Sequence, residues 1–220
     1  AKALYQALKA EYAHFYMNMG PKMFGQDLKG AGLNSGLFVA SKVPLETAYF
    51  EDFNPLGGDQ QINKGFFGAS IQGAPLSFIN CHLQAGDQKQ DQDLRYHQLG
   101  RIKRFISDQT TPIRLLIGDL NTPFGSGEQS EELIQECFFD PYNKNRSTVT
   151  KYSRTFSDRF ISGKQDGSCE ILDYFLVYHL PGFEKYAFIT ERIEGFNEVN
   201  FKNKGSDHHG LCSQVIFPQK

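Results

Sequence analysis

The 220-residue chain has no tryptophan, no C-x-x-C pair, no basic excess and no long apolar run. Each absence excludes something. Without about 20 consecutive apolar residues there is no candidate membrane-spanning helix. The cysteines, at 81, 137, 169 and 212, show no zinc-ligand spacing. Cys81 and Cys212 fall inside apolar, strand-like runs, where a thiol is expected to act as a small core side chain. One disulfide, and with it the redox compartment, stays open. With 23 basic against 25 acidic residues the formal net charge is -2. Proteins that grip duplex nucleic acid through its phosphates normally carry a basic excess, so that class is disfavoured despite a local patch at Arg101, Lys103 and Arg104. The chain opens on Ala1 rather than Met, so a processed or trimmed product is expected, and secretion stays open.

What is present is a soluble-type composition, 40% hydrophobic and 22% charged, with 20 Phe and 10 Tyr. The length suits one domain over residues 1–220. The spacing predicts a helix from Lys2 to Ala13, a polar glycine-rich loop from Gly20 to Ser35, and strands at Gly36–Ser41 and Thr47–Phe53. Lys64–Gln72 and Leu76–Leu83 read as a hairpin turning at Gly73-Ala74-Pro75. A helix follows from Asp91 to Ile106, with Asp91 or Asp93 as its cap, then a strand at Ile113–Ile117 and a helix at Glu128–Phe138. Ile171–Tyr178 and Leu211–Phe217 read as strands, and Phe183–Glu191 as another. The pattern is α/β or α+β with mainly antiparallel pairs and helices outside.

Four of the predicted strands carry catalytic residue types at or beside an end. They bring His82 in Asn-Cys-His-Leu-Gln, Asp119 and Asn121 in Gly-Asp-Leu-Asn, Asp173 in Ile-Leu-Asp-Tyr-Phe, and Asp207 with His208 in Ser-Asp-His-His. If these ends meet, carboxylates suit a hard divalent cation while imidazole and amide N–H groups suit phosphoryl oxygens. Each has an ordinary reading as well. His82 could be a bonded core histidine, Gly-Asp-Leu-Asn a turn, and Ser-Asp-His-His a loop cap before a strand. Asp173 is harder to dismiss, because an ionised carboxylate inside an apolar strand needs a partner. Taken together, and in this order, the four point to one site.

His-Leu-Gln, then Arg-x-x-Gln (Arg95, Gln98), Gly-Asp-Leu-Asn-Thr-Pro, Leu-Asp-Tyr-Phe and Ser-Asp-His form a succession that resembles the endonuclease/exonuclease/phosphatase superfamily, from about Ser35 to the last strand. Ser35–Lys42, Asn63-Lys64-Gly65-Phe66 and His82–Ala85 are similar to stretches of bacterial and neutral sphingomyelinases. The resemblance implies two packed, mainly antiparallel sheets flanked by helices, a four-layer α/β/β/α sandwich with its site at one rim. It implies Mg²⁺, or another divalent cation, and in-line attack of water on a phosphodiester. In that scheme His208 is the general base and Asp173 orients it. Asp119 and Asn121 position the water and a phosphoryl oxygen, and His82 stabilises the growing charge. Asp207 and Asp119 belong to the metal side. Asn63, Lys64 and Asn121 contact substrate, although Asn63 and Lys64 fit a polar hairpin start equally well. His14, His97 and His179 lie outside the motifs, and the His209 side chain is expected to point away from its neighbour's.

One part of the pattern is absent. Members of the superfamily open with an Asn-bearing strand and a Gln-Glu pair whose Glu binds the metal, and nothing before Ser35 matches it. Glu11 is expected to face solvent. Either the chain is a fragment, which the Ala1 start favours, or it is a short form without that ligand. In both cases a gap or exposed edge in a sheet is expected.

Three functions compete. The first is a Mg²⁺-dependent phosphodiesterase acting on a phospholipid headgroup, with peripheral membrane contact through Phe50–Leu56 or Phe196–Phe201. The second is a nuclease or AP endonuclease of the same superfamily, which the charge disfavours. The third is a non-catalytic relative that keeps the fold.

Overall fold

The computed structural model describes residues 2–17, 35–53, 63–144, 155–157, 169–193, 208 and 210–218. In chain order the elements are α1 (Lys2–Leu8), β1 (His14–Tyr16), β2 (Val39–Ser41), β3 (Leu45–Asp52), β4 (Gly65–Ile71), β5 (Leu76–His82), α2 (Lys89–Ser107) and β6 (Ile113–Asp119). They continue with α3 (Gln129–Cys137), β7 (Phe138–Phe139), β8 (Phe156–Ser157), β9 (Cys169–Glu170), β10 (Asp173–Tyr178), β11 (Ala187–Ile193) and β12 (Gly210–Ile216). The first helix is shorter than its periodicity predicts, ending at Leu8. The second is longer at both ends. Neither Asp91 nor Asp93 caps it: Gln88 holds the N-cap position, Asp91 accepts a hydrogen bond from Gln84, and Asp93 pairs with Lys89.

Six strands form one sheet in the order β3-β4-β5-β6-β10-β7. The β4–β5 hairpin is antiparallel, as its turn chemistry predicts. Among the described strands only β5 and β6 pair in parallel, because α2 carries the chain back between them. Alternation along each strand builds two cores. Phe66, Ile79, Leu116, Tyr174 and Leu176 point to one face, where they meet Leu99, Ile102 and Ile106 of α2 and Leu133 and Ile134 of α3. Phe67, Phe78, Leu115, Phe175 and Val177 point to the other, where they meet Phe188 of β11 and, less deeply, Tyr16, Val39 and Val215.

That second face is covered by two antiparallel pairs, β1–β2 and β11–β12. In β1, Tyr16 lies against Phe67 while its neighbour Phe15 meets Tyr5 of α1 on the opposite side. The layers therefore run helices, six-stranded sheet, paired strands, helix, which is the α/β sandwich read from the motifs. Between β2 and β12 lies a cavity of about 610 Å³ with Leu115, Ile117 and Phe175 among its walls. Among the described residues β2 pairs only with β1, and β12 only with β11.

Cys81 is buried in the core as expected, but Cys212 is exposed. Its register opposite Glu191 puts its side chain on the outer face of β11–β12. Cys81, Cys137 and Cys212 are all free thiols.

Candidate active site

The rim is made by strand register. Strands β5 and β6 run in parallel and end together, so His82 lies opposite Asp119. Strand β10 starts where β6 ends, so Asp173 lies on Asp119's other side. Three of the candidate side chains thus stand in a row across adjacent strands, on the face that looks toward β12. Strand β4 begins at this same rim, which brings Asn63 beside it. Just before Asp119 the backbone bends at Gly118, with φ 123°, where an added Cβ would lie 2.1 Å from the Cys81 carbonyl oxygen. Only glycine fits there.

His208, just ahead of β12, completes the group. Its Nδ1 lies 2.7 Å from Asp173 Oδ2, and its Nε2 lies 3.8 Å from Asp119 Oδ2. A carboxylate oxygen only accepts, so Nδ1 carries the proton and Nε2 is left to accept. His82 Nε2 lies 3.6 Å from the same Asp119 oxygen. Asp119 therefore sits between two imidazoles and beside a second carboxylate. Burial pushes its carboxyl up to about 6, and Asp173 adds to the rise; His208, the Asn121 N–H and Lys64 pull the other way. Donor atoms of Asp119, Asp173 and His208 all lie within 4.8 Å of one another.

The supporting residues are fully employed elsewhere. Asn121, at φ 46°, gives its backbone N–H to Asp119 Oδ1 at 2.8 Å and its side-chain Nδ2 to the Leu83 carbonyl at 2.9 Å. The same carbonyl accepts from Lys64 Nζ at 2.7 Å. Lys64 is 2% exposed and braces the rim from inside. Arg95 and Gln98 brace the loop after His82. Gln98 accepts from the Gln84 N–H, and Arg95, 1% exposed, donates to the carbonyls of Gln84 and Gly86 and forks onto Glu128.

The remaining expectations divide. Asp207, His209 and the Phe196–Phe201 loop lie outside the described residues, as do residues 54–56 of the other loop. Phe53 is a core residue, not a protruding one. The basic patch is partly neutralised, since Arg101 pairs with Glu51 and Lys103 lies 3.7 Å from Glu136. Glu11 and His97 are exposed, and His179 stacks on Phe183. Reading the sequence missed Thr155 and Phe156. Thr155 Oγ1 accepts the N–H groups of Leu172 and Asp173, and the Phe156 ring lies 5.1 Å from that of His208. No spacing rule singles out a Thr-Phe pair at the start of so short a strand.

No protein-family model matches the chain. In sequence it is 30% identical over 166 residues to sphingomyelin phosphodiesterase 5 of Danio rerio, covering 64% of the chain and 30% of that protein. The chain thus spans less than a third of that relative. Among solved structures, sphingomyelinase C from Streptomyces griseocarneus superposes with a TM-score of 0.69 at 19% identity, over 98% of the chain and 81% of its own. A beta toxin variant from Staphylococcus aureus with bound magnesium ions reaches 0.70 at 21% identity, over 99% and 82%. The chain shares its fold with these proteins, the fold that its motif order implies.

Proposed function

We propose, taking this shared fold as the premise, that the chain is the catalytic part of a phosphodiesterase that hydrolyses a phospholipid headgroup ester with the help of a divalent cation. The observation that carries this reading is the Asp173–His208–Asp119 group at one rim, with His82 on its far side.

The residues present fit a hard cation. The carboxylates of Asp119 and Asp173 stand side by side, with oxygens within 4.8 Å of one another and of a His208 nitrogen. Asp119 would hold the ion, together with Asp207. The bound ion would neutralise charge on the phosphoryl group.

The other steps belong to side chains. Asp173 holds the Nδ1–H of His208, which directs the basic Nε2 toward the rim. A water there loses its proton to Nε2 as its oxygen bonds to phosphorus. The bond from phosphorus to the leaving oxygen breaks, that oxygen takes up a proton from solvent water, and His208 returns its proton to solvent. His82, partly exposed, donates toward a phosphoryl oxygen as charge grows on it. Lys64 and Asn121 hold the Leu83 carbonyl and so fix the turn behind Asp119.

The test is hydrolysis of sphingomyelin vesicles, abasic DNA and a simple phosphodiester by the purified chain, with and without Mg²⁺. Mg²⁺-dependent release from the vesicles, abolished in His208→Ala, is the expected result. Cleavage of abasic DNA instead would move the chain to the nuclease branch. No turnover on any of the three would leave a non-catalytic relative.

A further inference from the structure

The Asp173–His208 pair joins two segments that, among the described residues, do not pair directly as strands. Asp173 opens β10 in the six-stranded sheet, whereas His208 precedes β12 in the paired-strand layer. A contact of 2.7 Å between separate layers needs something that registers one against the other.

The dipeptide Thr155-Phe156 touches both. Thr155 is completely buried, and its Oγ1 accepts the N–H of Leu172 at 2.9 Å and of Asp173 at 3.0 Å. A hydroxyl oxygen has two lone pairs, so both are committed to the start of β10. The Thr155 N–H in turn donates to the Glu170 carbonyl. On their other side Ile171 and Leu172 accept from Phe124 and Leu120, in the loop that follows Asp119. The next residue, Phe156, forms an antiparallel bridge with His208 and lays its ring 5.1 Å from the imidazole.

We propose that Thr155 and Phe156 are positioning residues for the Asp173–His208 pair, Thr155 locking the carboxylate's backbone while Phe156 seats the imidazole. Neither needs to touch substrate. Their kinetic effect rests on the phosphodiesterase reading; their structural effect does not.

The primary test is proton NMR of the Nδ1–H shared with Asp173, a downfield resonance assigned by its loss in His208→Gln. Thr155→Val has nearly the same shape but leaves two buried N–H groups unsatisfied. We expect it to lose or broaden that resonance, while Thr155→Ser keeps it. If the lipid assay reports turnover, Thr155→Val should lower kcat about 30-fold with KM changed less than about twofold, the split expected of misplacement. A folded Thr155→Val with the resonance and kcat intact overturns the proposal. Should Thr155→Val fail to fold, Phe156→Leu decides: a broadened resonance or at least about a tenfold drop in kcat supports the clamp, and wild-type behaviour in both overturns it. If neither wild type nor any variant turns over a phosphodiester, the phosphodiesterase reading falls, and the resonance alone still judges the clamp; if His208→Gln turns over like the wild type, only the role of His208 as base falls.

Discussion

The six-stranded sheet and the layer of paired strands across from it use much the same apolar residues in different patterns. Strands β4 and β10 read as near-continuous apolar runs, Gly65-Phe66-Phe67-Gly68-Ala69 and Tyr174-Phe175-Leu176-Val177, and both of their faces are buried. Strands β11 and β12 alternate instead. Phe188 is buried while Ile189, Ile193 and Ile216 on the outer face are 45%, 48% and 46% exposed. A strand covered on both sides has no wet face to make polar, whereas one covered on a single side does. The chemistry follows the same division. His82, Asp119 and Asp173 ride on the doubly covered sheet, where neighbouring strands hold their spacing. His208 comes from the thinner layer and is brought to them by contacts outside the strand ladder. The more deeply buried half carries three groups, and the less buried half delivers the fourth.

The largest effect should come from breaking the link between the halves. His208→Ala is expected to lower turnover by about 1,000-fold, the usual scale for removing a general base, with little loss of stability because His208 supports no core. Asp173→Asn should lower it comparably, since an amide can offer the imidazole an N–H and lose the tautomer. Steady-state kinetics on the lipid substrate, beside thermal melts, checks both.

Next in size is a direct stability comparison between the layers. Leu116→Ala in β6, fully buried beneath α2, should cost about 3 kcal/mol through the cavity left behind. Ile189→Ala in β11 should cost less than about 0.5 kcal/mol, because its side chain is already half in water. Urea melts would measure both, and equal losses would refute the contrast.

The smallest concerns charge at the rim. Asp119 has its carboxyl raised from 3.8 to about 6, first by burial and then by Asp173. A carboxyl raised on folding binds its proton more tightly in the folded state. It therefore costs nothing below about pH 4, and the cost grows as pH rises to about 6. Asp119→Asn should accordingly stabilise the chain by about 2 kcal/mol at neutral pH and by almost nothing at pH 3.5. Added Mg²⁺ should narrow the neutral-pH gain if Asp119 is a ligand. Melts across that pH range, with and without the cation, read this out.

Much of this was legible beforehand. The hairpin of β4 and β5, the period of α2 and the apolar run of β6 ending in Gly-Asp follow from local chemistry, and so does the idea of one shared rim. The errors have physical causes. Cys212 looked like a core residue because Leu-Cys-Ser-Gln-Val-Ile is apolar enough for a strand, yet which face is covered depends on what packs there. For Lys64 the motif left substrate contact and a polar hairpin start equally open, and no local rule predicts a buried ammonium resting on the Leu83 carbonyl. Asp91 looked like a helix cap, but Gln84 offers it a tertiary partner that only the folded loop supplies.

The sequence by itself determined which residue types would sit at strand ends, because alternation, turn residues and the need to pair a buried carboxylate are local constraints. Only the tertiary structure decided that His82, Asp119 and Asp173 share one register, that His208 reaches them from another layer, and that Thr155 and Phe156 hold the join. Those facts depend on contacts between segments far apart in the chain, where packing and buried hydrogen bonds choose the partner and short-range spacing carries no information about it.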